Sequence, residues 1–322
     1  MAHSPHCTQR LGSLLVVPLI LAASCSRLPV APTSQPGTVP SSARSSGVAM
    51  TGFGGGSFYP LGFGDRWQYQ GTLSLVSYGA YPGPQGDTLA QLEFTEEHRI
   101  VGAEDREGWR YQVREERIVE PGTAGGETVS WSRLRQDRSG LYAADIDVTE
   151  PPTASGVAGS VPPAEAAAMA PEASLRATLA GGGIAGEPVT RLLKRLKIAR
   201  AAARAGSGPR VGSGAASESE LTWLRYPPHP GSAWDIRPDF PWPARVDRIE
   251  ILDTPAGRMP AYRIETDPFG STVGDGEWVR LWYGRSGYMG YSIHLVEPWT
   301  TTSVVVTDEQ MLLVGTNARP GR

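Results

Sequence analysis

The chain has 322 residues, a formal net charge of −3 and 20% charged side chains. Near-neutral charge gives no electrostatic footprint for nucleic acid and argues against that class of partner. With 40% apolar residues, nine Trp and eleven Tyr, the chain can bury a sizeable core and leans towards strands.

Arg10 precedes an apolar run from Leu11 to Ala23. A charged start, a short apolar core and small residues at its end make a secretory signal. As a helix, such a run of about thirteen residues reaches only ~20 Å, short of a ~30 Å hydrocarbon core. The end, Leu21-Ala22-Ala23-Ser24-Cys25, resembles a bacterial lipoprotein signal, in which the Cys is diacylated and becomes the new N-terminus. Leu21 stands four residues before the Cys, where such signals carry Leu three before it. Ala22 and Ser24 also suit an ordinary signal peptidase, so a soluble secreted form is the alternative. The resemblance implies a signal peptide over 1–24, a membrane anchor at Cys25 and, with Ser26 following, sorting to the outer membrane. Cys7 would leave with the leader, so Cys25 would be the only mature cysteine and no intrachain disulfide could form. Residues 26 to 56 are rich in Ser, Pro, Gly and Thr, so 25–56 reads as lipid anchor and flexible tether, ~30 Å long on average.

Residues 57–150 read as a first β-half. Trp67 to Tyr78, Leu89 to Ala103, Trp109 to Val119, Val129 to Gln136 and Leu141 to Ile146 largely alternate in polarity between turn signals. Trp109, Tyr111 and Val113 fall on one face of their strand, with polar residues on the other. His98, beside Glu96 on one face, reads as part of a solvated surface. From 151 to 217 Ala, Gly, Pro and Ser dominate. The one helix expected there runs from Pro188 to Ala205, with Pro in the first turn and Gly206 beyond the end. Its Leu stripe could cap the open face of the sheet, and its arginines and lysines could rest on anionic lipid. The composition of the insertion predicts that the fold can do without it. A second β-half follows over 218–316.

The halves echo one another. Tyr59-Pro60, Gly64 and Trp67 have the same spacing as Tyr226-Pro227, Gly231 and Trp234. Trp131, Arg133, Leu134, Arg138, Ser139 and Gly140 match Trp278, Arg280, Leu281, Arg285, Ser286 and Gly287. Tyr-Pro fixes an extended approach, Gly permits a turn, Trp starts a core strand, and Arg-Ser-Gly makes a hairpin tip. Internal duplication is the expectation these spacings raise.

Pro60-Leu61, Gly64, Trp67 and Tyr69, with the late Trp282-Tyr283, resemble a group of uncharacterised bacterial lipoproteins. Those carry Pro-Leu-x-x-Gly-x-x-Trp-x-Tyr early and Trp-Tyr-x-x-Gly-x-Gly late. The resemblance covers about 58–70 and 219–315, and Ser286 and Tyr288 stand where the two late glycines would be. It implies a curved antiparallel sheet similar to lipoprotein carriers of the envelope, and it supplies no catalytic residues.

Chemistry-bearing motifs are few. His98, His229 and His294 form no metal-ligand spacing, no Cys assists them, and no nucleophile elbow or phosphate loop appears. No cofactor, metal or catalytic residue is assigned. The densest local cluster is His229, Trp234, Asp235, Asp239 and Trp242, in which aromatics stand beside carboxylates. The expected fold is all-β: a curved antiparallel sheet or half-barrel with one inserted helical segment. The expected function is a non-enzymatic envelope lipoprotein that holds an apolar ligand or partner protein on its curved face, with Trp67, Trp109 and Trp282 as candidate ligand face. The alternatives are a carboxylate-dependent hydrolase of polysaccharide or peptidoglycan, and a purely structural envelope module.

Overall fold

The computed structural model describes residues 59–79, 85–106, 108–119, 127–144, 170–181, 185–204, 220–237, 242–269 and 276–319. Signal, anchor and tether, with Cys25, lie outside these residues, as does Asp239.

Twelve antiparallel strands follow one another around a nearly closed barrel. They are β1 Arg66–Tyr78, β2 Asp87–Arg106, β3 Trp109–Val119, β4 Glu127–Gln136, β5 Gly140–Ala144, β6 Glu220–Arg225, β7 Ala233–Asp235, β8 Pro243–Thr254, β9 Gly257–Thr266, β10 Trp278–Gly284, β11 Gly287–Pro298 and β12 Val304–Thr316. In the sheet order, β1 and β12 are paired neighbours and β6 and β7 are the ends. The ends meet where the Thr222 N–H donates to the Ile236 carbonyl, 2.9 Å away. Every strand is therefore a neighbour of its successor, and local hairpins do most of the pairing. One rim, here the lower, holds the start of β1 and the turns β2–β3, β4–β5, β6–β7, β8–β9 and β10–β11. The upper rim holds the remaining turns and the insertion between β5 and β6.

The outer face is wet. Arg66 and Glu97, Arg133 and Glu104, Arg245 and Glu265, and Arg248 and Glu250 pair across it or along it. A barrel that crosses a bilayer needs an apolar belt outside; here the apolar face is inside. Trp67, Tyr69, Ile100, Leu134, Ile264, Leu281, Tyr291 and Leu313 share one core.

Two helices fill the barrel. α1 is Ala170–Gly181 and α2 is Glu187–Ala203. Pro188 at the start of α2 lacks an N–H that would be orphaned there anyway, and Glu187 faces the positive end of the dipole. Leu192, Leu193 and Leu196 pack with Leu175 and Leu179 of α1 against Leu73, Leu75, Ala90 and Val305 of the sheet. α2 thus enters at the upper rim and runs inward. Its last carbonyls are met deep inside: Tyr288 Oη donates to Ala203 O at 2.6 Å, and Arg114 Nη2 to Arg204 O at 2.8 Å. A cation at the negative end of the dipole also suits it.

Four expectations are corrected. The insertion, expected to be dispensable, places the leucines of α2 in the core. α1 adds a second helix, because its Leu175 and Leu179 fit the same apolar patch. His98 is fully buried, not on a solvated face. Strand β3 is also reversed relative to its polarity pattern. Arg114, Glu116 and Ile118 share a face with Leu134 of the core and point inward, while Tyr111 and Val113 lie on the other face.

Candidate functional site

Three places carry the chemistry: the ionic centre of the barrel, the three tryptophans of the expected ligand face, and a cleft at the upper rim.

Register builds the ionic centre. His98 on β2 stands opposite Glu116 on β3, and Glu96 lies two residues away on the same face. His98 Nε2 is 2.6 Å from Glu96 Oε1. Arg114 Nη2 donates to Glu116 Oε1 at 2.5 Å, and its Nε to Ser132 Oγ at 2.9 Å. Just past α2, at its C-cap, Arg204 Nη2 lies 3.1 Å from Glu96 Oε2 and 3.0 Å from Tyr291 Oη. Arg200 Nε reaches Glu309 of β12 at 2.8 Å. Tyr291 Oη donates to that same carboxylate. Nearer the rim, Arg195 holds Glu297 at 2.8 Å and Glu277 at 2.9 Å.

Burial pushes the Glu96 carboxyl up, but the guanidinium of Arg204, the hydrogen bond from His98 and the charge of Arg114 outweigh it. Glu96 is held below the usual carboxylate range. Burial works against the charges of Arg114 and Arg204 too; Glu116 and Glu96, respectively, keep them protonated. Burial raises Tyr69, Tyr288 and Tyr291 well above the ordinary phenol range, so they act as neutral donors.

Glu96, His98 and Glu116 offer donor atoms within 4.8 Å of one another, the spacing of a metal site. The charges decide against that use. Glu96, Glu116 and Glu309 already face Arg114, Arg200 and Arg204, and a divalent cation would add two positive charges to a matched, buried set. The arrangement suits locking a helix into a barrel. The sequence reading missed it, although arginines four apart along the helix and the alternating pairs Glu96/His98 on β2 and Arg114/Glu116 on β3 were its visible signal.

The three tryptophans do not meet. Trp67 is fully buried in the main core, with its indole N–H donating to Ser286 O at 2.7 Å. Trp282 lies in a separate cluster with Leu252, Ala261 and Met289, and donates to Glu250 Oε1 at 2.7 Å. Trp109 is half exposed on the lower rim, with the Arg135 guanidinium 4.1 Å from its ring centre. The inner face expected to hold a ligand carries α2 in its place.

The loop cluster divides as well. His229 is exposed on the lower rim, 2.9 Å from Ser232 Oγ. Trp242 is buried and donates to Thr266 Oγ1 at 2.8 Å. Trp234 and Asp235, on β7, line an open cleft of about 840 Å³ at the upper rim together with Arg245, Asp267, Trp278 and Arg280. Trp278 stacks on His294 at 4.2 Å, and Arg280 lies 4.3 Å from its ring centre. Glu265 takes Arg245 at 3.0 Å and Arg280 at 3.1 Å. The cleft therefore offers aromatic edges and charges of both signs.

No protein-family model matches the chain, and no curated protein does. Among solved structures, the chain is similar to a candidate lipoprotein from Parabacteroides distasonis, with 10% identity, TM-score 0.31, and 81% of this chain and 99% of that one covered. It is also similar to a candidate exported protein with a YmcC-like fold from Bacteroides fragilis, with 11% identity, the same TM-score of 0.31 and the same 81% and 99% coverage.

Proposed function

We propose that this is an exported, lipid-anchored envelope protein that works as a binding module and not as an enzyme. The apolar leader ending at Cys25 supports export and anchoring. The observation that carries the binding reading is the division of the barrel. α2 takes the inner apolar face and neutralises the buried carboxylates, so the lumen is used for stability. Among the described residues, the upper-rim cleft beside Trp234, Asp235, Asp267, Trp278 and Arg280 is open to a ligand or partner. Its mixed charges and indole edges suit a polar partner with ring or peptide character better than a fatty chain.

The test is titration of the chain from residue 25 with peptidoglycan fragments and with envelope extracts, read by calorimetry. Asp235→Ala and Asp267→Ala should each weaken binding at least tenfold while leaving the melting temperature within a few degrees. Turnover of a peptidoglycan or polysaccharide fragment, abolished by the same substitutions, would replace this reading with the hydrolase.

A further inference from the structure

We infer that the lower rim of the barrel rests on a phospholipid surface, with Phe63 and Trp109 in the interface. This deepens the lipid-anchor reading and depends on it. The described chain begins at Tyr59, packed against the lower rim: a Cβ at Gly287, in the β10–β11 turn, would come within 3.2 Å of its ring. Cys25 lies 34 residues earlier in the sequence, and the described chain is entered from that side at this rim, not at the upper one.

The rim is built for such a surface. Among the described residues, Phe63 (77%) and Trp109 (52%) are the most exposed large apolar side chains. Both sit here, Phe63 just before β1 and Trp109 at the β2–β3 turn. An isolated exposed Phe carries no meaning by itself. Paired with an indole on the rim where the described chain is entered, it matches the aromatic preference for lipid headgroups. Arg135, stacked beneath Trp109 and tied to Glu220, holds the indole in place. Charge points the same way. Among the described residues, Arg110, Arg138, Arg225, Arg258, Arg285 and Arg319 are exposed on this rim, against Asp105, Asp137 and Asp253, of which Asp105 pairs with Arg110 and Asp253 with Arg258. A net positive rim is drawn to anionic headgroups.

The chain from residue 25 has one thiol, Cys25, so a maleimide lipid can be joined to it in vitro whether or not cells acylate it. The conjugate is placed on vesicles of phosphatidylcholine and phosphatidylglycerol with brominated acyl chains, and tryptophan quenching is read. The two rims have separate reporters, Trp109 below and Trp299 above. Quenching should fall at least threefold in Trp109→Phe and in Phe63→Ser, and stay unchanged in Trp299→Phe. It should also weaken in vesicles without phosphatidylglycerol. Absence of quenching, or quenching lost in Trp299→Phe and kept in Trp109→Phe, overturns the inference. The anchor itself is tested separately, by whether Cys25→Ser leaves the membrane fraction of cells, so the two failures are distinguishable.

Discussion

Strands β1–β6 and β7–β12 approach their first turn in the same way and fill their interiors differently. Gly64 and Gly231 have φ of +83° and +90°, a conformation glycine adopts without a Cβ penalty. The Gly64 N–H donates to Ile100 O at 2.9 Å, and the Gly231 N–H to Val246 O at 2.8 Å. Ile100 returns a bond to Asp65 O, and Val246 to Ser232 O, the residue after each glycine. Trp67 and Trp234 are then the second residues of their strands, 0% and 8% exposed. The hairpin tips are reciprocal. Ser286 of the second half accepts the Trp67 indole, and Ser139 of the first accepts the Tyr226 amide at 2.8 Å. Inside, however, the first half presents Glu96, His98, Arg114 and Glu116 on adjacent strands, while the second sets Glu297 and Glu309 among Ile264, Val279, Leu281, Ile293 and tyrosines. Both halves receive α2 with charge: Glu96 of the first takes Arg204, and Glu297 and Glu309 of the second take Arg191, Arg195 and Arg200. A shared frame fixes turns and strand order, and its interior is set by what must be packed there.

The largest effect should come from removing the insertion. Replacing 155–215 by a short Gly-Ser linker strips Glu96 and Glu309 of their guanidiniums and uncovers Leu73, Leu75 and Val305. Uncompensated buried charge costs about 3–5 kcal/mol per broken pair, so the cooperative thermal transition should vanish. A sharp transition in the linker variant would mean that the barrel stands without its plug.

Trp67→Ala and Trp234→Ala test the shared frame. Each should cost ~3–5 kcal/mol, as for other large buried aromatics. Trp67 should lie at the upper end, because it is the more enclosed. Trp234 donates to Thr222 O at 3.0 Å, in the neighbouring strand. Urea midpoints give the order; a larger loss for Trp234 would break the comparison.

Acid separates the two interiors. The folded value for Glu96 is below the unfolded one, so its pairs stabilise fully above the unfolded range and are lost as pH falls through the folded value. Unfolded Glu titrates near ~4.3, so stability should fall steeply below about pH 4. Glu96→Gln with Arg204→Met should flatten that fall. An unchanged profile would show that other carboxylates control it.

Much of this frame was legible. The matched spacings of Tyr-Pro, Gly and Trp, and of Arg-Ser-Gly, mark turns with strict backbone needs, and such needs are written in single residues. The meander followed from alternation, and α2 from Pro188 and its Leu stripe. The ionic centre was hidden because alternation assumes an apolar interior. On β3 that assumption pointed Trp109, Tyr111 and Val113 inward, whereas Arg114 and Glu116 face the core to receive a basic helix distant in sequence. The cleft was visible only as Trp234 and Asp235. Its other wall comes from β9 and β10, which no local motif connects to β7.

The smallest expected effect concerns the arginines that the second echo aligns. Arg133 and Arg280 hold the same place in Trp-x-Arg-Leu and both sit on the outer face. Arg133 pairs with Glu104, and the two side chains are 13% and 18% exposed. Arg280 pairs with Glu265 at 3.1 Å but is 28% exposed and shares that carboxylate with Arg263 and Arg245. Burial lowers the Arg280 guanidinium from its ordinary value, and the charge of Arg263 adds to the effect. Removing it therefore relieves crowding among like charges and loses one weak pair. Arg133→Ala should cost about 1 kcal/mol, the upper end for partly exposed pairs, and Arg280→Ala less than about 0.5 kcal/mol. Added salt should shrink the Arg133 cost and leave the Arg280 value almost unmoved, since screening weakens attraction and repulsion together. Equal costs in both variants would mean that the outer faces of the two halves are alike, and that they differ only within the barrel.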